Sequence, residues 1–474
     1  MRPPGILIVG GGITGLAAAR KLAVEARQQN RPLAVELIES ENRLGGKIRT
    51  EREDGYVVEG GPDAFISVKP AAMALCRTLG ISDHVVGTDP RHQKTFIIKN
   101  GKMLAIPGGM TTFVPTEIAP FISTPLLSWF AKARIGLEPF IPRRAADGDV
   151  TMAEFFTRRL GRAGYEWLVE PLLAGIYAGD GRALGLAGTF PRYLEMEREH
   201  GSLLRAAFAA RAAAAKAPPP KGPPGLFLSM RDGLCEMVDS VAAAAREAGV
   251  TISTGTALRG LVFESGGVRA DLGDRAWQGD AVLLCTPAFV SADLIAERAP
   301  VVAGMLRRIP YVSTVTATFA FDQRALIDAS GRAVSLDGYG FVVPRPEQRQ
   351  IIACTWTSSK WPGRVPPGKA LIRCYLGGAG HEDVLQRADD DLAEVALGEV
   401  RKIMGMSASP ERVWLHRWPD AMPQYLVGHP ERIATLGERI REIPGLHLAG
   451  AAYRGIGIPD CIQDGEAAAA RILS

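Results

Sequence analysis

The stretch that decides the fold lies near the N-terminus and reads Ile6-Leu7-Ile8-Val9-Gly10-Gly11-Gly12-Ile13-Thr14-Gly15. Its apolar start predicts a buried strand, and an alanine-rich segment to about Gln28 predicts the helix that follows. The glycines between them match G-x-G-x-x-G in the strand-to-helix context that this motif requires. Gly10 permits the tight turn, Gly12 lets the backbone approach a pyrophosphate, and Gly15 allows close packing of helix on strand.

An acidic residue follows the next predicted strand at the spacing expected for nucleotide binding. Ala34–Ile38 predicts that strand and completes a βαβ unit, and Glu39 lies 24 residues after Gly15. A carboxylate there accepts hydrogen bonds from a ribose diol and would repel the 2′-phosphate of NADP. The sequence therefore predicts a dinucleotide site at the helix N-terminus, with a structural glycine turn as the alternative.

The composition sets limits on the remaining function classes. The 474 residues include 55 Lys plus Arg and 51 Asp plus Glu, so the formal charge of +4 does not indicate nucleic acid binding. Six scattered cysteines without a C-x-x-C pair predict neither a metal site nor a disulfide framework and favour a cytoplasmic location. The N-terminus shows no signal peptide, and no apolar run is long enough to span a membrane.

One segment nevertheless has the character of a membrane-surface element. Leu126–Ile141 is apolar with two cations, Lys132 and Arg134. If it lies on the inner face of the cell membrane, we expect binding to fall as salt rises, because salt screens the attraction to anionic lipid. A helix that lines a substrate channel is the alternative.

A second glycine-rich segment directly follows Glu39 and reads Arg43-Leu44-Gly45-Gly46-Lys47-Ile48-Arg49-Thr50. Paired glycines let the chain pass close to a cofactor, and flanking cations can meet its phosphates. This segment favours FAD over NAD. The alternatives are an ordinary loop for Gly45-Gly46 and a solvated surface charge for Lys47 or Arg49.

Further stretches extend these two motifs over the chain. They are Glu59-Gly60-Gly61-Pro62-Asp63-Ala64-Phe65, Leu173 to Asp180 (L-A-G-I-Y-A-G-D), Met422-Pro423-Gln424-Tyr425, Gly428-His429, and Ala449 to Ile462 (A-G-A-A-Y-R-G-I-G-I-P-D-C-I). With them the chain resembles the FAD-dependent amine oxidase superfamily and, within it, the bacterial oxygen-dependent porphyrinogen oxidases of the haem pathway. Their substrates are coproporphyrinogen III or protoporphyrinogen IX, and the sequence does not choose between the two.

The resemblance implies a set of residues that hold FAD. The first glycine loop, the acid and the second glycine segment would bind the ADP half. The backbone after a short strand would contact the adenine. The remaining segments would contact the flavin. The residues are Gly10, Gly11, Gly12, Ile13, Thr14, Gly15, Glu39, Ser40 and Lys47; Ala257; and Gly61, Pro62, Asp63, Ala64, Trp418, Ile458, Pro459 and Asp460. For Trp418 a core aromatic is the alternative. The extra glycine, Gly60, is expected to loosen its turn.

The resemblance also implies the chemistry and the substrate pocket. A porphyrinogen would be oxidised in three two-electron rounds on FAD, with O2 as acceptor and hydrogen peroxide as product. No side chain is identified as catalytic, because the chemistry belongs to the cofactor. Leu172, Ile176 and Tyr177 would form apolar walls, and Lys69 is the first candidate to hold a propionate. Lys94 and Lys99 come next, and contact with other haem-pathway enzymes is a further expectation.

The order of elements predicts an α/β fold with a Rossmann-like FAD-binding domain built from discontinuous segments, a mixed α+β substrate domain and a mainly helical inserted domain. The chain from Val312 to Tyr375 is expected to form an antiparallel sheet, and Asp464–Leu473 a final helix. The predicted segments are 1–75, 221–300 and 436–474 for FAD binding, 76–105 and 301–435 for substrate, and 106–220 for the helical domain, which ends at a proline-rich linker.

Other functions share parts of this pattern. An amine or amino-acid oxidase would have the same FAD domain. A carotenoid desaturase would share the glycine motifs, and a non-catalytic scaffold would bind the same cofactor. The G-I-P-D-C-I and G-I-Y-A-G-D stretches favour the porphyrinogen oxidases over all three.

The sequence predicts how the cofactor is held. No histidine lies beside either glycine segment, so we expect a yellow protein from which acid or heat releases intact FAD into the supernatant. Absorbance and chromatography of the supernatant measure this. Flavin that stays with the denatured polypeptide would contradict non-covalent binding, and FMN would contradict the dinucleotide site.

Overall fold

The structure is a computed structural model that describes residues 3–111, 113–145, 148–216, 225–264 and 266–474. The predicted linker prolines, Pro218–Pro220 and Pro223-Pro224, and the boundary at residue 220 lie outside this part of the chain. The predicted domain boundaries remain predictions, whereas the sheets and helices can be compared directly.

The elements are listed here in chain order. The strands are β1 Gly5–Val9, β2 Ala34–Ile38, β3 Thr50–Glu53, β4 Tyr56–Glu59, β5 Phe65–Ile66, β6 Val85–Gly87, β7 Thr95–Lys99, β8 Lys102–Ala105, β9 Met110–Thr111, β10 Val114–Pro115, β11 Phe227–Met230, β12 Thr251–Ser253, β13 Gly260–Glu264, β14 Gly267–Asp271, β15 Ala276–Gly279, β16 Ala281–Leu284, β17 Tyr311–Asp322, β18 Gly340–Val342, β19 Ile351–Trp356, β20 Lys369–Gly377, β21 Arg412–Pro423 and β22 Leu446–Leu448. The helices are α1 Ile13–Gln28, α2 Pro70–Thr78, α3 Ile118–Ser123, α4 Trp129–Gly136, α5 Met152–Leu160, α6 Arg162–Gly164, α7 Glu170–Tyr177, α8 Leu186–Thr189, α9 Arg192–His200, α10 Leu203–Ala214, α11 Cys235–Glu247, α12 Ala288–Ile295, α13 Pro300–Arg307, α14 Thr357–Lys360, α15 Asp389–Met404, α16 His429–Arg441 and α17 Ile458–Leu473.

A parallel sheet in the order β12-β2-β1-β16-β22 forms the nucleotide-binding layer. Its strands come from widely separated parts of the chain, which confirms the predicted α/β class with a discontinuous Rossmann-like domain. All residues of β1 and β16 are buried, as expected for a parallel sheet with helices on both faces. One face packs on α1, α11 and α17, and the other on α12, α13 and α16.

The C-terminal helix covers the N-terminal one through small side chains. A Cβ atom on Gly465 of α17 would lie 2.3 Å from the Thr14 carbonyl oxygen of α1, so this contact requires glycine. Helix α17 begins at Ile458, six residues before the start predicted from the sequence, with Gly457 as its N-cap and a proline in its first turn. Proline fits there because its missing N–H has no intrahelical partner in the first turn.

A second sheet has the order β21-β17-β20-β19-β18-β7-β8. The predicted antiparallel pairing holds for β17, β19 and β20, but β18 pairs with β7 in parallel, Gly340 opposite Thr95. Alternating hydrophobicity indicates a strand but not its neighbour, so the sequence could not reveal the parallel pair.

The described residues between 113 and 214 form mainly helices around an aromatic core, in which Phe113 contacts Phe156 and Phe190 with ring centroids 5.3–5.4 Å apart. None of the helices that the structure describes combines the length and apolar character needed to cross a membrane. The two cations of the predicted membrane segment are not free. The Lys132 ammonium donates to the Ile122 carbonyl, and the Arg134 guanidinium donates to the Arg159 carbonyl at 3.1 Å.

A buried charge cluster joins three elements of this helical unit. Arg159 and Glu138 are fully buried, and Arg159 Nε lies 2.9 Å from Glu138 Oε1 and 3.5 Å from Glu197 Oε1. Glu138 also accepts the backbone N–H of Leu203 at 2.9 Å, at the start of α10. One carboxylate therefore neutralises a buried cation and caps a helix.

We expect Glu138→Ala to lower the free energy of unfolding by about 3–5 kcal/mol, because it leaves Arg159 buried with less compensation. Urea unfolding followed by tryptophan fluorescence measures the change. Glu166→Ala is the control, since Glu166 pairs only with the exposed Arg162 and should cost about 0.5 kcal/mol or less. Equal losses in the two variants would contradict the role of the buried cluster.

Candidate flavin-binding site

The first glycine loop leaves room for a phosphate group at the start of α1. Gly10 has a φ of 110°, and its N–H donates to the Ile38 carbonyl at 2.9 Å. A Cβ on Gly12 would meet no atom within 4 Å, so open space lies beside this residue. Gly12 offers no side-chain cap, and the first-turn N–H groups lack intrahelical acceptors. Open space and unpaired N–H groups together fit the diphosphate of FAD.

The second glycine segment lies directly against the first. The Gly45 N–H donates to the Gly11 carbonyl at 2.9 Å, and a Cβ on Gly46 would lie 3.4 Å from Gly12 Cα. Lys47 follows, and burial lowers the pKa of its ammonium against a small opposing effect of Cys461. Among the described residues no carboxylate pairs with Lys47. Its charge is therefore available to an anionic part of the cofactor.

Backbone donors hold the carboxylate of Glu39 beside the first glycine loop. Gly11 N–H donates to Oε2 at 2.6 Å, Glu41 N–H donates to Oε1 at 2.9 Å, and the Ser40 hydroxyl lies 3.1 Å from Oε1. The loop after β12 crosses the same place, because Thr256 N–H donates to the Glu39 carbonyl at 2.8 Å. This contact brings the exposed Ala257 next to the acid, although 218 residues separate them in sequence.

The turn at Gly60 is held firmly, contrary to the expectation that an extra glycine loosens it. The Gly60 carbonyl accepts hydrogen bonds from Thr316 Oγ1 at 2.9 Å, Arg373 Nη2 at 3.1 Å and Trp418 Nε1 at 2.8 Å. A Cβ on Gly60 would lie 2.6 Å from the ring of His416. Glycine is needed here for a close approach to the second sheet.

Gly61 brings this turn onto the second glycine segment, because a Cβ there would lie 1.8 Å from the Lys47 carbonyl oxygen. Gly61, Pro62, Asp63 and Ala64 are all half-buried. The Asp63 carboxylate turns towards the second sheet and accepts from Lys360 Nζ at 2.7 Å and Trp361 Nε1 at 3.1 Å. Burial raises the pKa of Asp63, but Lys360 and Arg373 outweigh it and bring the pKa to about 2.

The C-terminal loop supplies the opposite wall. The Tyr425 hydroxyl accepts from Gly455 N–H at 2.8 Å and donates to the Ala451 carbonyl at 2.6 Å. Ile458 and Pro459 are buried at the start of α17. Asp460 in the same turn binds Lys69 through both carboxylate oxygens, each 2.6 Å from Nζ.

The structure thus joins two residues that the sequence assigned to different roles. Lys69, the first candidate for a substrate propionate, is paired with Asp460, a candidate cofactor residue. The two alternatives for Lys69 also have partners. Lys94 binds Asp337 at 2.6 Å, and Lys99 donates to the Leu126 carbonyl with its ammonium over the Trp167 ring.

The predicted apolar wall is formed by α7, which ends at Ala178 in the left-handed conformation. Tyr177 is buried, its carbonyl accepts from Gln424 Nε2 at 3.0 Å, and its ring centroid lies 6.4 Å from that of Tyr425. Ile176 is exposed and Leu172 is half-buried in the helical core. Of the three predicted wall residues, Tyr177 therefore lies nearest to the C-terminal loop.

A cleft of about 570 Å³ lies along another face of α7, where Ala174 and Ala178 line it and Tyr177 does not. Its charged residues pair with each other or with nearby groups, as Arg345 does with Glu170 at 2.9 Å and Arg182 with Asp180 at 2.7 Å. The cleft therefore offers no unpaired charge that would point to a ligand.

Sequence reasoning missed Thr316, Lys360 and Arg373, which contact the Gly60–Asp63 segment from the second sheet and α14. Thr316 and Arg373 lie within strands, Lys360 is the last residue of a short polar helix, and no local motif marks any of the three. A buried arginine in an otherwise apolar strand, L-I-R-C-Y, was the one available signal.

Comparison with known proteins agrees with this site. Residues 13–473 match the family described as flavin containing amine oxidoreductase, and the chain belongs to that family. It is a FAD-dependent oxidoreductase. Its relatives include proteins named coproporphyrinogen III oxidase from Bacillus subtilis, 34% identical over 99% of this chain and 98% of that protein, and from Staphylococcus aureus, 33% identical over 99% of each. A solved structure from Exiguobacterium sp. 255-15, assigned as a protoporphyrinogen oxidase, has a TM-score of 0.86 at 31% identity and covers 100% of this chain and 99% of its own.

We expect Glu39→Ala to weaken FAD binding roughly ten- to a hundredfold, because a hydrogen bond to a charged group contributes about 1.5–3 kcal/mol. Titration of the apoprotein with FAD, followed by flavin fluorescence, measures the dissociation constant. Glu41→Ala is the matched control, since Glu41 is exposed and pairs with Arg43. Unchanged affinity in Glu39→Ala would place the ribose elsewhere.

Proposed function

We propose that this protein oxidises coproporphyrinogen III to the porphyrin, with O2 as the electron acceptor. The observation that carries the proposal is the full-length similarity to two relatives of that name, supported by the position of Tyr177 beside Tyr425, which binds the C-terminal loop. FAD supplies a hydride acceptor when it is bound. The chain itself has to bind the macrocycle, orient it and exclude water.

The side chains around Tyr177 suit those tasks. A porphyrinogen loses hydride from a saturated carbon between two pyrroles, and the electron-rich pyrroles stabilise the cation that remains. No strong general base is required for that step. The one carboxylate of the C-terminal turn, Asp460, is paired with Lys69, so it does not offer an unpaired negative charge to the substrate. An apolar wall and a neutralised acid favour a tetrapyrrole over a charged amine.

The choice between the two porphyrinogens depends on how their carboxylates are held. Coproporphyrinogen III carries four propionates, and protoporphyrinogen IX carries two propionates and two vinyl groups. Each propionate held by a charge-assisted hydrogen bond adds binding energy that a vinyl group cannot replace. The names of the two relatives support coproporphyrinogen III. Lys69 remains our candidate for one propionate, through the ammonium N–H that its pairing with Asp460 leaves unused.

We expect kcat/KM to be about tenfold or more higher for coproporphyrinogen III than for protoporphyrinogen IX, since each lost hydrogen bond to a charged group costs about 1.5 kcal/mol or more. Porphyrin fluorescence and oxygen uptake measure the two rates. The reverse preference would make protoporphyrinogen IX the substrate. Oxidation of amines with neither porphyrinogen consumed would support the amine oxidase alternative.

We also propose that residues 118–140 form the peripheral membrane contact, by insertion of apolar side chains. Trp129, Phe130 and Phe140 are 70%, 90% and 78% exposed. Because Lys132 and Arg134 are bound internally, these two cations do not provide the salt-sensitive attraction expected from the sequence. Apolar burial at the acyl boundary is the driving force that this surface supports.

We expect the protein to float with liposomes equally at low and high salt, and Trp129→Ser/Phe130→Ser to abolish flotation, because each aromatic contributes about 1.5–3 kcal/mol on burial. Val301→Ser is the control, since Val301 is equally an exposed apolar residue but lies on α13. Flotation that disappears at high salt would contradict apolar insertion, and so would an unaffected double variant.

A further inference from the structure

Five charged side chains with little or no exposure lie beneath the segment Glu59–Asp63. Two of them are acids, Glu59 and Asp63, and three are cations, Lys360, Arg364 and Arg373. Arg364 Nη1 lies 3.3 Å from Glu59 Oε1, and Lys360 Nζ lies 2.7 Å from Asp63 Oδ2. No carboxylate among the described residues lies within ion-pair distance of Arg373, which is 3% exposed. The cluster therefore carries one uncompensated positive charge.

The guanidinium of Arg373 also has unused donors. It lies on β20, between Thr318 of β17 and Thr355 of β19. Nη2 donates to the carbonyls of Gly60 and Gly61, while Nε and Nη1 are buried without an acceptor in the described part of the chain. The ring of Tyr375 lies 4.8 Å from the guanidinium carbon. Two carbonyls and an aromatic face compensate part of the charge, and the carboxylates that attract it from beyond ion-pair distance, Glu59 and Asp63, are themselves paired with Arg364 and Lys360.

A buried charge without a counter-ion is expensive, and a buried donor without an acceptor adds to that cost. Natural proteins keep few such groups, and those that persist call for an explanation. The nearest acids of the chain, Glu59 and Asp63, already have partners of their own. Glu51, on the neighbouring hairpin, is paired with His416 at 2.8 Å. No described residue therefore supplies the missing negative charge, and a bound anionic group would supply it.

We propose that Arg373 is the counter-charge for reduced FAD. A hydride brings two electrons and one proton, and so adds one negative charge to the cofactor. Arg373 holds the Gly60-Gly61 backbone against the second sheet and places its free positive charge behind that backbone. It acts as a positioning and electrostatic residue and does not react. The inference rests on the isoalloxazine lying along Gly61–Ala64, and it is independent of which substrate donates the hydride.

The test is the two-electron midpoint potential of the FAD-loaded protein, measured by dye-coupled reduction without porphyrinogen. Arg373→Met removes the charge and keeps most of the volume. It should lower the affinity for reduced FAD relative to oxidised FAD about tenfold. For a two-electron couple, this lowers the midpoint potential by about 30 mV. Arg373→Lys should recover part of the shift. Arg349→Met is the matched control, because Arg349 is a half-buried arginine of the loop before β19 and is paired with Glu399.

A second variant keeps the proposal testable where Arg373→Met does not fold or bind FAD. Asp63→Asn keeps the shape of the side chain and removes one negative charge, so it should raise the potential. An unchanged potential in FAD-loaded Arg373→Met, or in Asp63→Asn, overturns the proposal. A raised KM for porphyrinogen without a change in potential also overturns it, because Arg373 would then hold substrate. Absence of porphyrinogen oxidation by the unmodified protein leaves these potentials measurable and would refute only the proposed function.

Discussion

The carbonyl oxygen of Gly60 is the point on which the flavin site depends. It takes hydrogen bonds from three strands of the second sheet, through Thr316, Arg373 and Trp418, and so holds the turn after β4 against that sheet. The approach is possible only without a Cβ, because the ring of His416 occupies the space.

The same constraint, close approach of backbones, recurs around the cofactor. Three glycines each pack against a backbone carbonyl group. Gly15 packs against Gly10, Gly61 packs against Lys47, and Gly465 packs against Thr14. Each contact would place a Cβ less than 2.5 Å from an oxygen atom, so none tolerates a side chain. The result is a site made largely of backbone, in which the N-terminus of α1 borders the open space beside Gly12.

Several charged groups near the site occur as pairs, and this changes how single residues should be interpreted. Lys69 is bound to Asp460 and Lys360 to Asp63, so removing either lysine leaves a carboxylate unpaired beside the cofactor. A kinetic effect of such a change therefore mixes substrate binding with the electrostatics of the flavin. Arg373 differs because it has no acidic partner, and its charge can be removed without leaving an unpaired anion.

The sequence by itself determined the nucleotide-binding half. The strand, glycine loop, helix and Glu39 are contiguous, and local periodicity and spacing specify such a unit. Only the tertiary structure decided the partners of Gly60, the parallel pairing of β18 with β7, and the pair Lys69–Asp460, whose members are 391 residues apart. These contacts depend on which elements become neighbours after folding. A single polar residue in a strand carries no local signal of the backbone group that it will meet.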